Sequence, residues 1–348
     1  MLPKTRRSSH SSRRHIGKRK RTLILISVIA YAVILAAIIV LPKLLDPREE
    51  AQDIPGDGNA LFDNAVTYTG NDGRYRYREE ELDTLLLIGV DREGLDTGAK
   101  VTARSNTQAD FLLLAVMDRS TKTLTPIQID RDSVVPVDVY GVLGNRTGSR
   151  EMQICLAQGF GKTLEENCRN TAKAVSDMLL GIPVDHYIVY DLSGINVIND
   201  LLGGVTVTVE DDLTGMDAAL SVGSTVTLRG AQAEIFVRSR RFVGDGKNTS
   251  RLRRQRAFMQ SALEKAATLY RSDKGFAADM ISGMEGFYAS DMAKGFTVNL
   301  LNRVMDYQAA PFLVTPGEHV VSADGFMECH VDRPALEKQI LDVCFEKQ

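Results

Sequence analysis

The chain has 348 residues, 42 of them basic and 45 acidic, with a formal net charge of −3 and 44% hydrophobic side chains. That is enough to bury a full core as one large domain or two small ones, and it excludes a wholly disordered or collagen-like chain. Residues 1–21 hold nine Lys or Arg and no acid, leaving 33 basic against 45 acidic residues elsewhere, a balance of −12. No nucleic-acid partner is expected, because the positive charge is confined to a short tail.

Residues 23–41 (LILISVIAYAVILAAIIVL) carry no charge. At about 1.5 Å per residue the run would span roughly 28 Å, close to a hydrocarbon core of about 30 Å. A helix is required there because every backbone polar group must be paired internally. No A-x-A-like cleavage site follows, and Pro42-Lys43 stands in its place, so a transmembrane helix over 22–42 is preferred to a cleaved signal. Lys18, Arg19, Lys20 and Arg21 abut its N-terminal end. The 1–21 tail is therefore expected in the cytoplasm against anionic membrane lipid, and the chain after about residue 42 outside the cell. Four cysteines, Cys155, Cys168, Cys329 and Cys344, are an even number in an exported domain, which suggests disulfides. The local pairs Cys155–Cys168 and Cys329–Cys344 are preferred, with four buried free thiols as the alternative.

Residues 43–81 are polar and read as an extracellular stalk, with one short element near 61–69. Residues 82–90 (LDTLLLIGV) form an apolar run expected to be a strand buried on both faces, ending at Asp91. Residues 93–107 read as a loop. Residues 111–117 and 124–129 are two further strands joined by a turn at 118–122, a hairpin. Apolar spacing predicts a helix over 170–180 with Gly181 at its C-cap. A strand over 186–190, a helix over 192–202 and an alternating strand over 205–209 follow. Residues 235–237 read as a strand, and 252–270 as a long helix. The C-terminal extension, 273–348, ends in a strand over 325–330 and a helix over 334–345. Interleaved strands and helices make the fold class α/β, with a central mixed β-sheet flanked by helices across a domain of 82–348 whose core is 82–272.

Several familiar sites have no support. Neither G-x-S-x-G nor H-E-x-x-H occurs. Residues 159–163 (GFGKT) mimic the end of a P-loop, but Leu156 stands where its first glycine belongs. His186, His319 and His330 are isolated in sequence and read as structural. The unusual stretch is 236–256, with Arg238, Arg240, Arg241, Arg251, Arg253, Arg254 and Arg256 in an otherwise acidic domain. Arg238 and Arg240 would leave one face of a strand end. Arg251, Arg254 and Gln255 would share one face of a helix start. Free N–H groups at a helix N-terminus favour an anion, and guanidinium forks grip phosphate oxygens bidentately. A pyrophosphate would satisfy such a cluster. Asp91, Asp110 and the Arg131-Asp132 pair stand at other strand ends, and two aspartates beside a pyrophosphate suggest Mg²⁺. An internal ion network is the alternative reading of the same residues.

Taken together, residues 86–91 (LLIGVD), 109–113 (ADFLL), 129–133 (IDRDS), 181–187 (GIPVDHY) and 202–207 (LGGVTV) form an ordered set. With Val237-Arg238-Ser239-Arg240, Asp245 and Arg251-Leu252-Arg253-Arg254-Gln255, it resembles the LytR-CpsA-Psr family of envelope glycopolymer ligases over about 82–272. The resemblance implies that family's α/β fold, a hydrophobic tunnel for a polyprenyl chain and Mg²⁺-assisted phosphotransfer. Asp91 and Asp110 look like its metal-binding aspartates. Arg131, Arg238, Arg240, Arg251 and Gln255 look like the residues around the pyrophosphate, and Asp91, Asp110, Arg131 and Arg240 like the catalytic set. The chain departs from the pattern where Gln108 and Val135 replace arginines, Asp130 replaces a proline, and Ala109-Asp110-Phe111 stands for Ser-Asp-Thr. Arg104 is the candidate substitute at the first, and Arg146 or Arg150 at the second.

The expected function is a membrane-anchored, extracytoplasmic phosphotransferase. It would move an anionic glycopolymer, such as teichoic acid or capsule, from a polyprenyl-pyrophosphate carrier to a peptidoglycan acceptor. The alternatives are a non-catalytic envelope protein that binds polyprenyl phosphate or anionic glycopolymer, and a polyprenyl-pyrophosphate pyrophosphatase.

Overall fold

A computed structural model describes residues 66–91, 95, 108–141, 145–239 and 248–348. The basic tail, the apolar run over 23–41, Arg104, Arg240, Arg241 and Asp245 lie outside the described residues. Among the described residues, no helix is long and apolar enough to cross a membrane.

In chain order the strands are β1 (Thr67–Gly70), β2 (Gly73–Tyr77), β3 (Leu82–Val90), β4 (Ala109–Asp118), β5 (Thr123–Ile129), β6 (Val134–Tyr140), β7 (Arg146–Gln153) and β8 (His186–Asp191). They continue with β9 (Thr206–Thr208), β10 (Thr225–Thr227), β11 (Tyr288–Ser290), β12 (Gln308–Ala309), β13 (Leu313–Val314), β14 (Gly317–Val321), β15 (Met327–Val331) and β16 (Phe345–Lys347). The helices are α1 (Leu164–Met178), α2 (Gly194–Leu201), α3 (Gln232–Arg238), α4 (Asn248–Ser272), α5 (Phe276–Gly283), α6 (Lys294–Val304) and α7 (Arg333–Cys344).

The central sheet runs β11-β8-β3-β4-β5-β12, with β13 also on β5. Strands β3, β4 and β5 are an antiparallel meander, while β8 joins β3 in parallel, so the sheet is mixed as expected. Side chains alternate across it. Leu86, Ile88, Leu112 and Leu114 enter one apolar core with Cys155, Cys168, Val175 and Ile340. Leu85, Phe111, Leu113 and Ala115 enter the other with Phe236, Phe258 and Ala262. Burial on both faces explains why β3 and β4 read as continuous apolar runs rather than alternating ones. The β3–β4 ladder breaks once: Gly89 pairs with Phe111 and Val90 with Ala109, so Asp110 is an extra, bulged residue. A bulge kinks the strand and re-aims its side chain.

Three expectations are corrected. Residues 67–77, expected to be stalk, are part of the folded unit: β1 and β2 form a hairpin, β16 adds to β2, and Tyr77 is buried in the first core. Residues 235–237 are helical, inside α3. Glu234 and Arg238 stand one turn apart there and form an ion pair, while Phe236 and Val237 turn inward. The expected disulfide Cys155–Cys168 is absent, as is Cys329–Cys344, and all four cysteines are buried free thiols. Cys155 Sγ faces Arg131 Nη2 at 3.4 Å and Cys168 Sγ faces Gln158 Nε2 at 3.6 Å, so the sulfurs are committed to different partners. In keeping with the rejection of a P-loop at 159–163, Gly161-Lys162-Thr163 caps α1. Thr163 Oγ1 accepts from Glu166 N at 3.1 Å and Asn167 Oδ1 accepts from Gly161 N at 2.6 Å, so the helix's own side chains take these N–H groups.

Candidate active site

The bulge turns Asp110 toward the turn between β5 and β6. Its Oδ1 takes Arg131 Nη1 and lies 3.7 Å from Arg251 Nη1, in the first turn of α4. Arg131 is nearly buried. Its Nη2 donates to Gln108 Oε1, and its Nε sits 3.3 Å from Asp132 Oδ1. Burial works against a charged guanidinium, but Cys155, Asp110 and Asp132 outweigh it, and the Arg131 pKa rises above its ordinary value. Arg131 therefore stays a fixed cation beside a carboxylate that it shares with Arg251.

Asp91 ends β3 and is mostly exposed; its Oδ2 accepts from Arg238 Nη2 at 2.6 Å. Arg238 terminates α3 and also pairs with Glu234. Gln255, one turn beyond Arg251, is buried and donates to Val237 O at 3.4 Å. Magnesium takes hard oxygens, often one or two carboxylates with phosphate and water completing the shell. Asp91 and Asp110, at the ends of two neighbouring strands, carry oxygen donors of that kind, and in this structure both face guanidiniums.

The arginine-rich stretch divides in three dimensions. Arg251 faces Asp110. Arg254 instead turns inward, pairing with Asp211 and donating through Nε to Phe236 O at 2.8 Å. Arg253 also leans on Asp211, at 3.2 Å, and Arg256 donates to Gln128 Oε1 at 2.7 Å. The expected common face of Arg251, Arg254 and Gln255 thus splits, Arg254 bracing α4 against α3. Val135 is core, and Arg146, its suggested replacement, is held by Asp138 at 2.9 Å on the β6–β7 hairpin.

An apolar cavity of about 220 Å³ lies between the sheet and helices α2, α4, α5 and α6. Leu87, Ile188, Ile198, Phe258, Met280 and Leu301 are among its walls. Arg251, Gln255, Phe258, Ala262 and Ala266 are all buried and recur every three or four residues on α4. One helix face therefore carries the charged cluster at its start and the apolar cavity wall further along, over roughly 22 Å.

A sequence model described as the LytR_cpsA_psr family matches residues 62–273. The chain belongs to this family. Curated relatives include "Polyisoprenyl-teichoic acid--peptidoglycan teichoic acid transferase TagU" of Bacillus cereus (strain AH820). It is 24% identical over 259 residues, covering 74% of this chain and 76% of TagU. "Cell wall biosynthesis protein LcpA" of Corynebacterium glutamicum is 28% identical over 208 residues, 52% of this chain and 39% of LcpA. Among solved structures, protein gbs0355 from Streptococcus agalactiae superposes with a TM-score of 0.61 at 20% identity, covering 76% of this chain and 88% of that one. "TagT bound to LI-WTA" gives 0.57 at 19% identity, covering 76% and 91%. These superpositions show a shared mixed α/β fold.

The LytR_cpsA_psr match stops at residue 273, so α5 to α7 and β11 to β16 lie beyond it. That extension nevertheless reaches the site. His319 on β14 holds Asp130, the residue before Arg131, with Nε2 to Oδ2 at 2.6 Å. Nothing in the spacing of residues 130 and 319 announces this contact. Gln108 and Cys155, the other partners of Arg131, are likewise brought in by sheet pairing and a 3₁₀ turn rather than by any motif.

Proposed function

We propose that this protein transfers an anionic glycopolymer from a polyprenyl-pyrophosphate carrier to peptidoglycan. It would be held in the membrane by residues 23–41, with the 66–348 region outside the cell. The observation that carries this reading is the shared face of α4, with Arg251 and Gln255 at one end and the apolar cavity wall at the other. A lipid-linked diphosphate has the same two-part chemistry. The cavity suits the isoprenoid chain, and Arg131, Arg238 and Arg251 suit the diphosphate oxygens. The printed activity of the TagU relative supports the same class of reaction.

Magnesium held by Asp91 and Asp110 would supply positive charge against the diphosphate. Arg131 and Arg251 converge on Asp110, so an incoming diphosphate would meet both guanidiniums at one place. Arg238 would exchange its Asp91 contact for a phosphate oxygen. An acceptor sugar hydroxyl attacks the sugar-linked phosphorus. A new O–P bond forms, the P–O bond to the lipid phosphate breaks, and polyprenyl phosphate leaves with the bonding electrons. The hydroxyl proton passes to an aspartate of the site. The fixed guanidiniums stabilise the charge that develops on the leaving group.

The test is full-length protein in detergent with a polyprenyl-pyrophosphate-linked glycan, Mg²⁺ and wall fragments. Release of polyprenyl phosphate together with labelled peptidoglycan is the expected result. Release without labelling would make the protein a pyrophosphatase. Tight binding without release, unaffected by chelator, would make it a binding protein.

A further inference from the structure

We propose that Asp130, His319 and Cys329 form a site for a zinc-type divalent cation, separate from the Asp91 and Asp110 carboxylates. One ligand atom from each lies within 4.8 Å of the other two. His319 and Cys329 are directly opposed residues of the β14–β15 hairpin, so their side chains leave the same face as cross-strand neighbours. Asp130 comes from the end of β5 and meets them from the other side.

The carboxylate is already oriented for this role. Asp130 Oδ1 accepts from Asp132 N at 2.9 Å and from Asn248 Nδ2 at 2.7 Å. Those two bonds turn Oδ2 toward His319, and such supporting contacts are what aim a metal ligand. The sulfur is equally constrained. Cys329 N donates to Asp132 O at 2.8 Å, and a bridge pairs Cys329 with Ser133. A Cβ added to Gly317 would stand 2.8 Å from Cys329 Sγ, so glycine is what lets the hairpin close around the sulfur. Asp130 and Cys329 are buried, while His319 is partly open, leaving the site one accessible side.

An oxygen, a nitrogen and a sulfur donor suit zinc, which takes this mixture tetrahedrally and leaves a fourth position to water in three-ligand sites. Binding displaces one proton from the Cys329 thiol to solvent. The imidazole binds as the neutral ring through Nε2, with its proton on Nδ1. The ion takes the place of the Asp130–His319 hydrogen bond. Because Asp130 adjoins Arg131 and bonds Asn248, the first residue of α4, the cation would clamp the C-terminal hairpin onto both elements that carry the arginine site.

The test uses metal-stripped full-length protein in detergent, titrated with Co²⁺ in excess Mg²⁺, which keeps hard-oxygen sites filled. One Co²⁺ per chain is expected, with a thiolate-to-cobalt charge-transfer band, release of a proton, and a higher melting temperature. Zn²⁺ should displace the cobalt and abolish the band. Cys329→Ser and His319→Ala should each lose the band, while Cys168→Ser keeps it. The wild-type spectrum needs no variant, so a poorly folded mutant leaves the test intact. Absence of the band in the wild type would overturn the site. So would a band that survives Cys329→Ser, or stoichiometric binding unaffected by His319→Ala. Asp130 and His319 would then be a hydrogen-bonded pair alone. Failure of glycopolymer transfer would not touch this result, because the readout is metal binding.

Discussion

Arg251 Nη1 lies 3.7 Å from Asp110 Oδ1, joining the first turn of α4 to the bulged residue of β4. The same oxygen takes Arg131, so one carboxylate holds two guanidiniums that would otherwise repel.

Arg251→Ala is therefore expected to lower polyprenyl phosphate release by about 10²–10³-fold, the usual cost of removing one charge-stabilising donor. Arg131 would still satisfy Asp110, so the melting curve should keep its shape and cooperativity. Turnover assays beside thermal melts decide this. Unchanged turnover would remove Arg251 from the reaction.

Arg254→Ala should act on stability. Its guanidinium is buried against Asp211 and two backbone carbonyls, and removing one partner of a buried pair costs about 3–5 kcal/mol. Arg253, 3.2 Å from Asp211, would place the loss at the lower end. Urea midpoints measure it. A loss below about 1 kcal/mol is what an exposed pair gives and would contradict the bracing role.

Ala262→Phe would fill part of the apolar cavity, since Ala262 lines it. A long-chain lipid-linked donor should then show a raised KM. A donor with a truncated isoprenoid should be affected little. Equal losses for both would mean that the cavity does not hold the chain.

Burial pushes the Cys168 and Cys344 thiols up to about 12, whereas an unfolded thiol titrates near about 8.5. Between these values the folded chain keeps protons that the unfolded chain has lost. Their contribution to stability is thus complete below about pH 8.5 and declines as pH rises toward 12. Denaturant midpoints measured from pH 7 to 10 should fall, and Cys168→Ala with Cys344→Ala should flatten that slope. A slope unchanged in the double variant would assign it to other groups.

The sequence by itself determined the local elements and the chemistry of the chain. Residues 82–90 match β3 and 124–129 match β5 to within one residue, because apolar runs bounded by turns depend on neighbours in the chain. Asp110, Arg131 and Arg251, singled out by residue type and order, meet in space, while Asp91 pairs with Arg238. Only the tertiary structure decided which arginine faces which acid. Arg251 and Arg254 are three apart in the chain, yet one reaches the bulge of β4 and the other a carboxylate after β9. The strand expected over 235–237 became a helix because the packing of Phe236 and Val237 and the Glu234–Arg238 pair outweigh β-branched propensity. The disulfides failed for a related reason. Cysteine spacing sets which sulfurs could meet, but sheet and helix packing turned Cys155 toward Arg131 and Cys329 toward Asp130 and His319. Contacts across more than a hundred residues follow from strand order and burial, and no local pattern encodes either.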